Sequence, residues 1–205
     1  MTGLKIWLED SLQRIYPSSQ PQRLCALRLY AAAGERINFQ ICLRLNGEKA
    51  LRVSAAVRVP EGIGVRVRRV GYVPMWHINT DTPADEREGA EYLPGLCPDI
   101  LWEESEGLLP PEETTAFWVT LAIPADCRAG NHPVKIKIKC ENGEACCADV
   151  MLRVAPLILQ KRRHFPVTHW FYADSLLDWY RLRPWEEKFW EILPAYLRNL
   201  VELSL

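Results

Sequence analysis

Short apolar segments separated by turn residues run through most of the chain and constrain its fold more than any other feature. The clearest example is residues 134–139, in which valine and isoleucine alternate with lysine. Strict alternation places the apolar side chains on one face of a β-strand and the lysines on the other. We expect the lysines to meet water and to protect a sheet edge. A basic binding surface is the alternative.

Six further segments have the same character, and each is bounded by glycine, proline or asparagine-glycine. The Asn142-Gly143 pair, after the lysine segment, is typical of a hairpin turn. Seven to nine short strands without a convincing helix predict an antiparallel β-sandwich, Ig-like or jelly-roll-like, over residues 1–158. The six segments are residues 24–30, 36–45, 51–59, 65–73, 116–123 and 145–154.

Residues 79–114 interrupt this rhythm with five prolines, many acidic residues and no periodicity. A loop of this length inside a compact domain is unusual and is often functional or docked. Tyr92, Leu96, Ile100 and Trp102 would anchor it by apolar contacts. The alternative is a loosely held surface insertion.

The composition changes after Pro156, so we place a second part at residues 159–205. Residues 161–163 form a short polar link, and residues 164–174 have the apolar character of a strand. A helix is predicted from Pro184, with Pro194 expected to kink or split it. Together the strand and the helix, about 42 residues, contain four tryptophans and an apolar stripe on the helix. This is more apolar surface than they can bury, which predicts a fragment of a larger α/β domain. The stripe consists of Phe189, Trp190, Leu193, Leu197 and Leu200.

Charge and composition exclude several classes of function. The formal charge is −1 and the pI is about 6.4, which disfavours a nucleic-acid partner or a polybasic membrane surface. No apolar run could span a membrane and no secretory signal is visible, so we expect no membrane partner and a cytoplasmic location.

Cofactor and metal sites are likewise not expected. The seven cysteines are odd in number and form no C-x-x-C pair, which predicts reduced, mostly buried thiols. The four histidines show no metal-ligand spacing. Neither a G-x-S-x-G nucleophile motif nor a phosphate-binding glycine loop is present, so no cofactor is predicted.

Several short motifs have architectural explanations that need no family. Gly34 and Gly71 are expected to allow a positive φ or a close backbone approach. Phe39 should fill the core while Gln40, on the opposite face of its strand, supplies a hydrogen bond. Pro98-Asp99 predicts a turn, and residues 124–130 predict a turn between two paired strands.

These motifs, taken in order, resemble the N-terminal region of bacterial glycoside hydrolase family 123 and its uncharacterised relatives. In that family a β-sandwich precedes a (β/α)8 barrel, so the resemblance implies a sandwich followed here by the first strand and helix of a truncated barrel. The matching segments are DSLQRIYP at 10–17, AGERINFQ at 33–40, VGYVP at 70–74, CPDIL at 97–101, FWVT at 117–120, IPAD at 123–126, AG at 129–130 and HWFY at 169–172.

The resemblance also implies a chemistry. The family's hydrolysis uses an adjacent Asp-Glu pair on a later barrel strand: the glutamic acid protonates the glycosidic oxygen, and the aspartate orients the substrate's own 2-acetamido group as nucleophile. This sequence ends before that position. The Asp85-Glu86 pair lies in the long loop and Glu9-Asp10 has the reverse order, so no catalytic residue is assigned.

Substrate contacts are predicted at the end of the first barrel strand, where barrel active sites lie. Trp170 and Tyr172 would stack on a sugar ring, and Asp174 would accept hydrogen bonds from its hydroxyls. The alternative places the two aromatic residues in the barrel core and Asp174 in a loop cap. Trp118 is expected to pack in the core or between domains rather than on a lectin-like face.

The predicted function is therefore an accessory or scaffolding domain of a glycoside hydrolase-like protein. Its carbohydrate substrate, a 2-acetamido β-glycoside, would be bound through the barrel, and this chain by itself would be inactive. One alternative is a stand-alone carbohydrate-binding module. Another is a non-catalytic interaction domain that associates through the apolar helix at residues 185–205.

Overall fold

A computed structural model of the chain describes residues 3–24, 26–77, 81–87, 89–160, 168 and 170–203. The contacts divide it into two compact units, Met1–Leu159 and Gln160–Leu205. Among the described residues, ten strands lie in the first unit and two α-helices in the second. The strands are β1 Gly3–Asp10, β2 Leu27–Ala33, β3 Arg36–Asn46, β4 Leu51–Arg58, β5 Gly64–Met75, β6 Gly95–Trp102, β7 Glu106–Leu109, β8 Thr114–Ala122, β9 Gly130–Cys140 and β10 Ala145–Ile158.

The first unit consists of two five-stranded sheets with a shared apolar core. Sheet I has the order β1-β3-β8-β5-β6, and sheet II has the order β2-β10-β9-β4-β7. Alternate residues of both sheets face inward, among them Phe39, Phe117, Ile136 and Leu152, none more than 2% exposed. This mainly β, two-sheet architecture was predicted. Sheet II, however, is mixed rather than antiparallel, because β2 runs parallel to β10.

The β9–β10 hairpin follows the sequence pattern closely. Gly143 adopts a φ of 89°, and its N–H donates to the Cys140 carbonyl at 3.0 Å. The inward residues of β9 are buried while Lys135, Lys137 and Lys139 are exposed. The expectation that this row protects an edge is wrong, since β9 lies between β10 and β4.

The segment predicted as one long loop contains two strands. β6 and β7 are the last strands of sheets I and II, and two short 3-10 turns, Ala84–Glu86 and Ala90–Tyr92, precede them. The segment is docked: the Tyr92 ring stacks on that of Tyr16 with centroids 4.0 Å apart. The turn predicted at Pro98-Asp99 is absent because both residues belong to β6, an edge strand, where proline is tolerated.

Two glycine positions confirm the expected close approaches, and one predicted turn is wrong. At Gly34 φ is 82°, and an added Cβ would lie 2.8 Å from the Leu159 carbonyl oxygen, as expected for a glycine needed at a close approach. At Gly71, beside a register shift between β5 and β6, an added Cβ would collide with the Trp102 indole nitrogen. Residues 124–130 do not join paired strands, because β8 and β9 belong to different sheets.

The second unit contains helices α1, Asp174–Tyr180, and α2, Glu187–Leu203. Most of the strand predicted at residues 164–174 lies outside the described residues. The part that is described, 168 and 170–174, contains no strand, and Asp174 begins α1. A carboxylate is favourable in a first helical turn, which suits this start. The structure therefore does not show the beginning of a (β/α)8 barrel.

Helix α2 begins at Glu187 rather than at Pro184, and it continues through Pro194 without being split. Of its predicted stripe, Phe189 is buried, whereas Trp190 is 52% exposed and Leu197 is 44% exposed. No described helix is long and apolar enough to cross a membrane.

Candidate functional site

The predicted sugar contacts all lie in the second unit and are open to solvent. Trp170 is 89% exposed and Tyr172 is 72% exposed. Asp174 is exposed in the first turn of α1, and the adjacent Ser175 N–H donates to the Tyr172 carbonyl at 3.2 Å. No described strand brings these side chains to a cleft, so their role in substrate binding stays a prediction.

A different site lies on the outer face of sheet I, in the first unit. This cleft, called the sheet I cleft below, has a volume of about 380 Å³. That volume falls within the range of small-molecule sites. The lining residues come from the segment after β1 and from strands β3, β5, β6 and β8. They are Ser11, Leu12, Gln13, Arg14, Ile15, Gln40, Val70, Pro98, Asp99, Leu101 and Trp118.

Gln40 holds one wall of the cleft, the segment that follows β1, in place. Its side-chain amide is 3% exposed and donates to the carbonyl oxygens of Asp10, at 3.0 Å, and Gln13, at 2.7 Å. The neighbouring Phe39 points into the sandwich core. The prediction for this pair is thus confirmed, and the chain after β1 is folded back over sheet I.

Apolar packing secures the same wall from beneath. Ile15 is buried in a small second core that also contains Trp7, Cys42, Val70 and Ala116. This core lies on the outer side of sheet I, away from the main core. Burial raises the pKa of the Cys42 thiol well above its ordinary value, so the thiol stays protonated and acts as a small apolar side chain.

The segment that follows β1 is held a second time where it leaves the cleft. The Thr114 hydroxyl donates to the Ser19 carbonyl at 2.7 Å, and the Thr114 N–H donates to the Pro17 carbonyl at 2.8 Å. The Tyr72 hydroxyl donates in turn to the Thr114 carbonyl at 3.1 Å. Burial raises the pKa of Tyr72, which keeps it a donor. The wall is therefore fixed along its length by buried polar groups.

Trp118 supplies the aromatic surface of the cleft. It is half-buried, and its Nε1–H donates to Asn38 Oδ1 at 3.1 Å. Asn38 Oδ1 also accepts from the Thr120 hydroxyl at 2.7 Å, and that hydroxyl lies 3.2 Å from Arg68 Nη2. These bonds fix the orientation of the indole ring. Trp118 packs against the second core, as expected, while the rest of its half-buried ring lines the cleft and can meet a ligand without first being ordered.

The rim is polar, with exposed Arg14 and Asp99. A fixed aromatic ring between hydrogen-bonding side chains suits a ligand with apolar faces and hydroxyl edges. Hydrolysis of a glycoside normally needs two carboxyl groups, or one and a substrate acetamide held by another. Among the described lining residues only Asp99 has a carboxyl group.

In the described part of the chain, no group of three or more His, Cys, Asp or Glu side chains is arranged to hold a metal ion. The six described cysteines are free, and Cys42 and Cys140 are buried. Cys146 packs against the core and Cys147 is exposed, as their opposite faces on β10 predict.

Sequence comparison identifies no relatives: no protein-family model matches the chain, and no curated protein matches it. Structure comparison finds a family 123 glycoside hydrolase from Clostridium perfringens, described in a study of glycolipid glycan hydrolysis. The TM-score is 0.73 at 15% identity, over 99% of this chain and 36% of that one. This chain therefore shares the fold of about a third of that enzyme.

Other solved structures match the chain more weakly. A PapD-like domain of human CEP192 gives a TM-score of 0.38 at 9% identity, over 75% of this chain and 86% of that chain. A FixG-related protein from Vibrio parahaemolyticus gives 0.40 at 8% identity, over 75% of this chain and 98% of that chain. The similarity to the family 123 enzyme alone shows that the chain has a glycoside hydrolase-like β-fold.

Proposed function

We propose that the chain is the β-sandwich region of a glycoside hydrolase-like protein, in which it serves as an accessory or scaffolding domain. The observation that carries this proposal is the structural match to the family 123 enzyme over 99% of the chain. The ordered sequence motifs that resemble the same family support it independently of the coordinates.

The second unit is proposed to belong to a (β/α)8 barrel. Its apolar side chains support this, because Trp179 is 80% exposed, Trp185 is 71% exposed and Val201 is 58% exposed. Exposed apolar surface of this kind normally meets further protein. The sandwich would then support the barrel, and Trp170, Tyr172 and Asp174 would lie near its substrate cleft.

No residue of this chain is proposed as the acid or as the group that orients the acetamide. Asp85 and Glu86 lie in the short 3-10 turn Ala84–Glu86, far in sequence from any barrel strand. The proposed reaction, cleavage of a 2-acetamido β-glycoside with the substrate's acetamide as nucleophile, would use an Asp-Glu pair on the barrel.

The test is to read the gene beyond codon 205 and to assay both forms. We expect an open frame of about 250 further codons, since a barrel needs roughly that many residues, with an Asp-Glu pair at the end of a predicted strand. The extended protein should hydrolyse 4-nitrophenyl 2-acetamido-2-deoxy-β-glycosides, and the 205-residue chain should not. A stop codon after Leu205, or an inactive extended protein, would contradict the proposal.

Carbohydrate binding by the sheet I cleft is a second candidate, favoured by the fixed indole ring of Trp118. Titration calorimetry with 2-acetamido sugars should show binding that Trp118→Ala removes. Trp76→Ala is the matched control, because Trp76 is 82% exposed and does not line the cleft. Equal affinities in the two variants would exclude the cleft as the binding site.

A further inference from the structure

The outer face of sheet II carries a concentration of positive charge that the near-neutral total conceals. Seven exposed cations lie there against two acidic residues, Asp149 and Glu106. Eleven acidic residues and a single arginine between residues 81 and 113 offset this charge in the whole chain. The seven cations, called the basic face below, are Arg28, Arg52, Arg58, Lys135, Lys137, Lys139 and Arg153.

Strand pairing places these cations side by side. On β9 and β4, Lys135 pairs with Arg58, and Lys139 pairs with Ser54, two residues from Arg52. On the other side of β9, Arg153 of β10 pairs with Tyr30 of β2, two residues from Arg28. The alternating buried residues of the same strands fill the sandwich core, so the cations share one face.

The basic face keeps a positive excess within the described part of the molecule, although Asp149 is the strand partner of Lys135 and Glu141 Oε1 accepts from the Arg52 N–H at 2.9 Å. The ion pairs found there join Arg44 to Glu112, Arg66 to Glu103 and Arg69 to Glu104, none of which involves the basic face. Like charges held close together destabilise a fold unless something offsets them. An anionic partner would relieve this repulsion.

The shape of the face indicates which kind of anion it fits. Lys135 to Lys139 spans about 14 Å along the strand, and β2 to β4 covers about 14 Å across three strand spacings. The charge is thus spread in two dimensions, whereas a linear polyanion would contact a single row. Binding of a single-stranded nucleic acid needs several aromatic side chains on which bases can stack. On the described strands of this face, Tyr30 is the one exposed aromatic residue, which disfavours such a partner.

We propose that the basic face binds the surface of an anionic lipid bilayer. The seven cations share one face of the sheet and can approach a bilayer surface together, and each lysine or arginine near such a surface adds to the attraction. Tyr30, 66% exposed, and Met151, 40% exposed, lie among the cations and can enter the headgroup layer. The seven cations come from four separate strands. The sequence therefore shows no polybasic run that would predict this surface. The proposal does not depend on glycosidase activity.

The test measures co-sedimentation of the 205-residue chain with vesicles. We expect binding to equal parts of phosphatidylcholine and phosphatidylglycerol, no binding to phosphatidylcholine alone, and loss of binding when salt is raised to about 0.5 M. Lys135→Gln/Lys137→Gln/Lys139→Gln should weaken partitioning roughly a hundredfold, at about fivefold per lysine. Lys5→Gln/Lys49→Gln/Lys188→Gln makes the same change in net charge outside the face and should bind nearly as well as the wild type.

Three results would overturn the proposal. One is equal binding by the two triple variants, which would show a net-charge effect without a defined face. Another is failure of the wild-type chain to distinguish anionic from neutral vesicles. The third is binding to heparin or single-stranded DNA under conditions where anionic vesicles are ignored, which would assign the face to a linear polyanion. Circular dichroism of each variant checks that the sandwich is folded.

Discussion

Single buried polar side chains determine the local structure around the sheet I cleft, and Gln40 is the most informative. Replacing it by leucine keeps the volume but leaves the Asp10 and Gln13 carbonyls without their donor. We expect Gln40→Leu to lower the free energy of unfolding by about 3 kcal/mol, measured by urea denaturation. Gln20 makes a similar amide-to-carbonyl bond on the surface, so Gln20→Leu is the control and should change stability by less than about 0.5 kcal/mol. Equal effects would show that Gln40 does not hold the wall.

Glu9, on the strand beside Gln40, links stability to pH. Burial raises its pKa above the ordinary 4.5, and nearby Asp10 raises it further, while a hydrogen bond from the Trp7 side chain partly opposes both. A carboxyl group whose pKa is higher in the folded state binds more protons when folded, so stability falls as pH rises from 4.5 through the raised value.

The Glu9→Gln variant should therefore gain stability over the wild type as pH rises through that window, and differ little below it. Thermal midpoints measured across the window check this. Glu48→Gln, which removes the same charge from an exposed loop, is the control. A gain of Glu9→Gln that is constant with pH would contradict the assignment.

At the scale of elements, the turn between β2 and β3, which joins the two sheets, contacts Leu159, just after the end of β10. Gly34 has a positive φ, and its N–H donates to the Ile123 carbonyl at 3.1 Å. The Leu159 N–H donates to the Ala33 carbonyl at 2.8 Å. Gly143 also has a positive φ but no neighbour where a Cβ would be.

Both Gly34→Ala and Gly143→Ala should cost about 1–2 kcal/mol because alanine disfavours positive φ. Gly34→Ala should cost at least about 1 kcal/mol more, since its methyl group meets the Leu159 carbonyl. Chemical denaturation of the two variants measures the difference. Similar losses would mean that β10 can move away from this turn.

The elements that sequence reasoning predicted best are those with a strong pattern on both faces. Residues 134–139 alternate strictly and 36–45 have a continuous core face, and both form strands. The strands it missed, β1, β6 and β7, are sheet edges, where exposure on one side weakens the alternation and a proline such as Pro98 is tolerated. Pairing between distant strands, including the parallel β2–β10 pair, leaves no local trace in the sequence.

The candidate site was predictable only in part for the same reason. The sequence predicts a hydrogen bond from Gln40 and core or interdomain packing for Trp118, but it predicts no cleft at either residue. Their proximity follows from pairing of β3 with β8, where they are direct partners. Asp99 was assigned to a turn because the Pro-Asp signal is local, whereas sheet pairing placed it on β6. Trp170, Tyr172 and Asp174 were chosen from an expected barrel strand that the described residues do not contain.

The whole molecule combines a unit that completes its own core with one that leaves its apolar surface open. The main core comes entirely from residues before Leu159, and a unit of this size is typical of an independent domain. The second unit instead exposes tryptophans on and around α2, with the Trp185 and Trp190 rings 5.7 Å apart. This contrast predicts that the two units differ in what they need for stability.

Deletion of residues 161–205 should leave a monomer with the thermal midpoint and β-sheet circular dichroism of the longer chain, since the core stays intact. The full chain should self-associate as its concentration rises, because apolar surface on α2 meets another copy. Sedimentation velocity distinguishes the two. Trp190→Ser/Leu197→Ser, which removes exposed apolar groups without shortening the chain, should also reduce association. A truncated chain that unfolds without cooperativity would show that the sandwich depends on the second unit and does not fold independently.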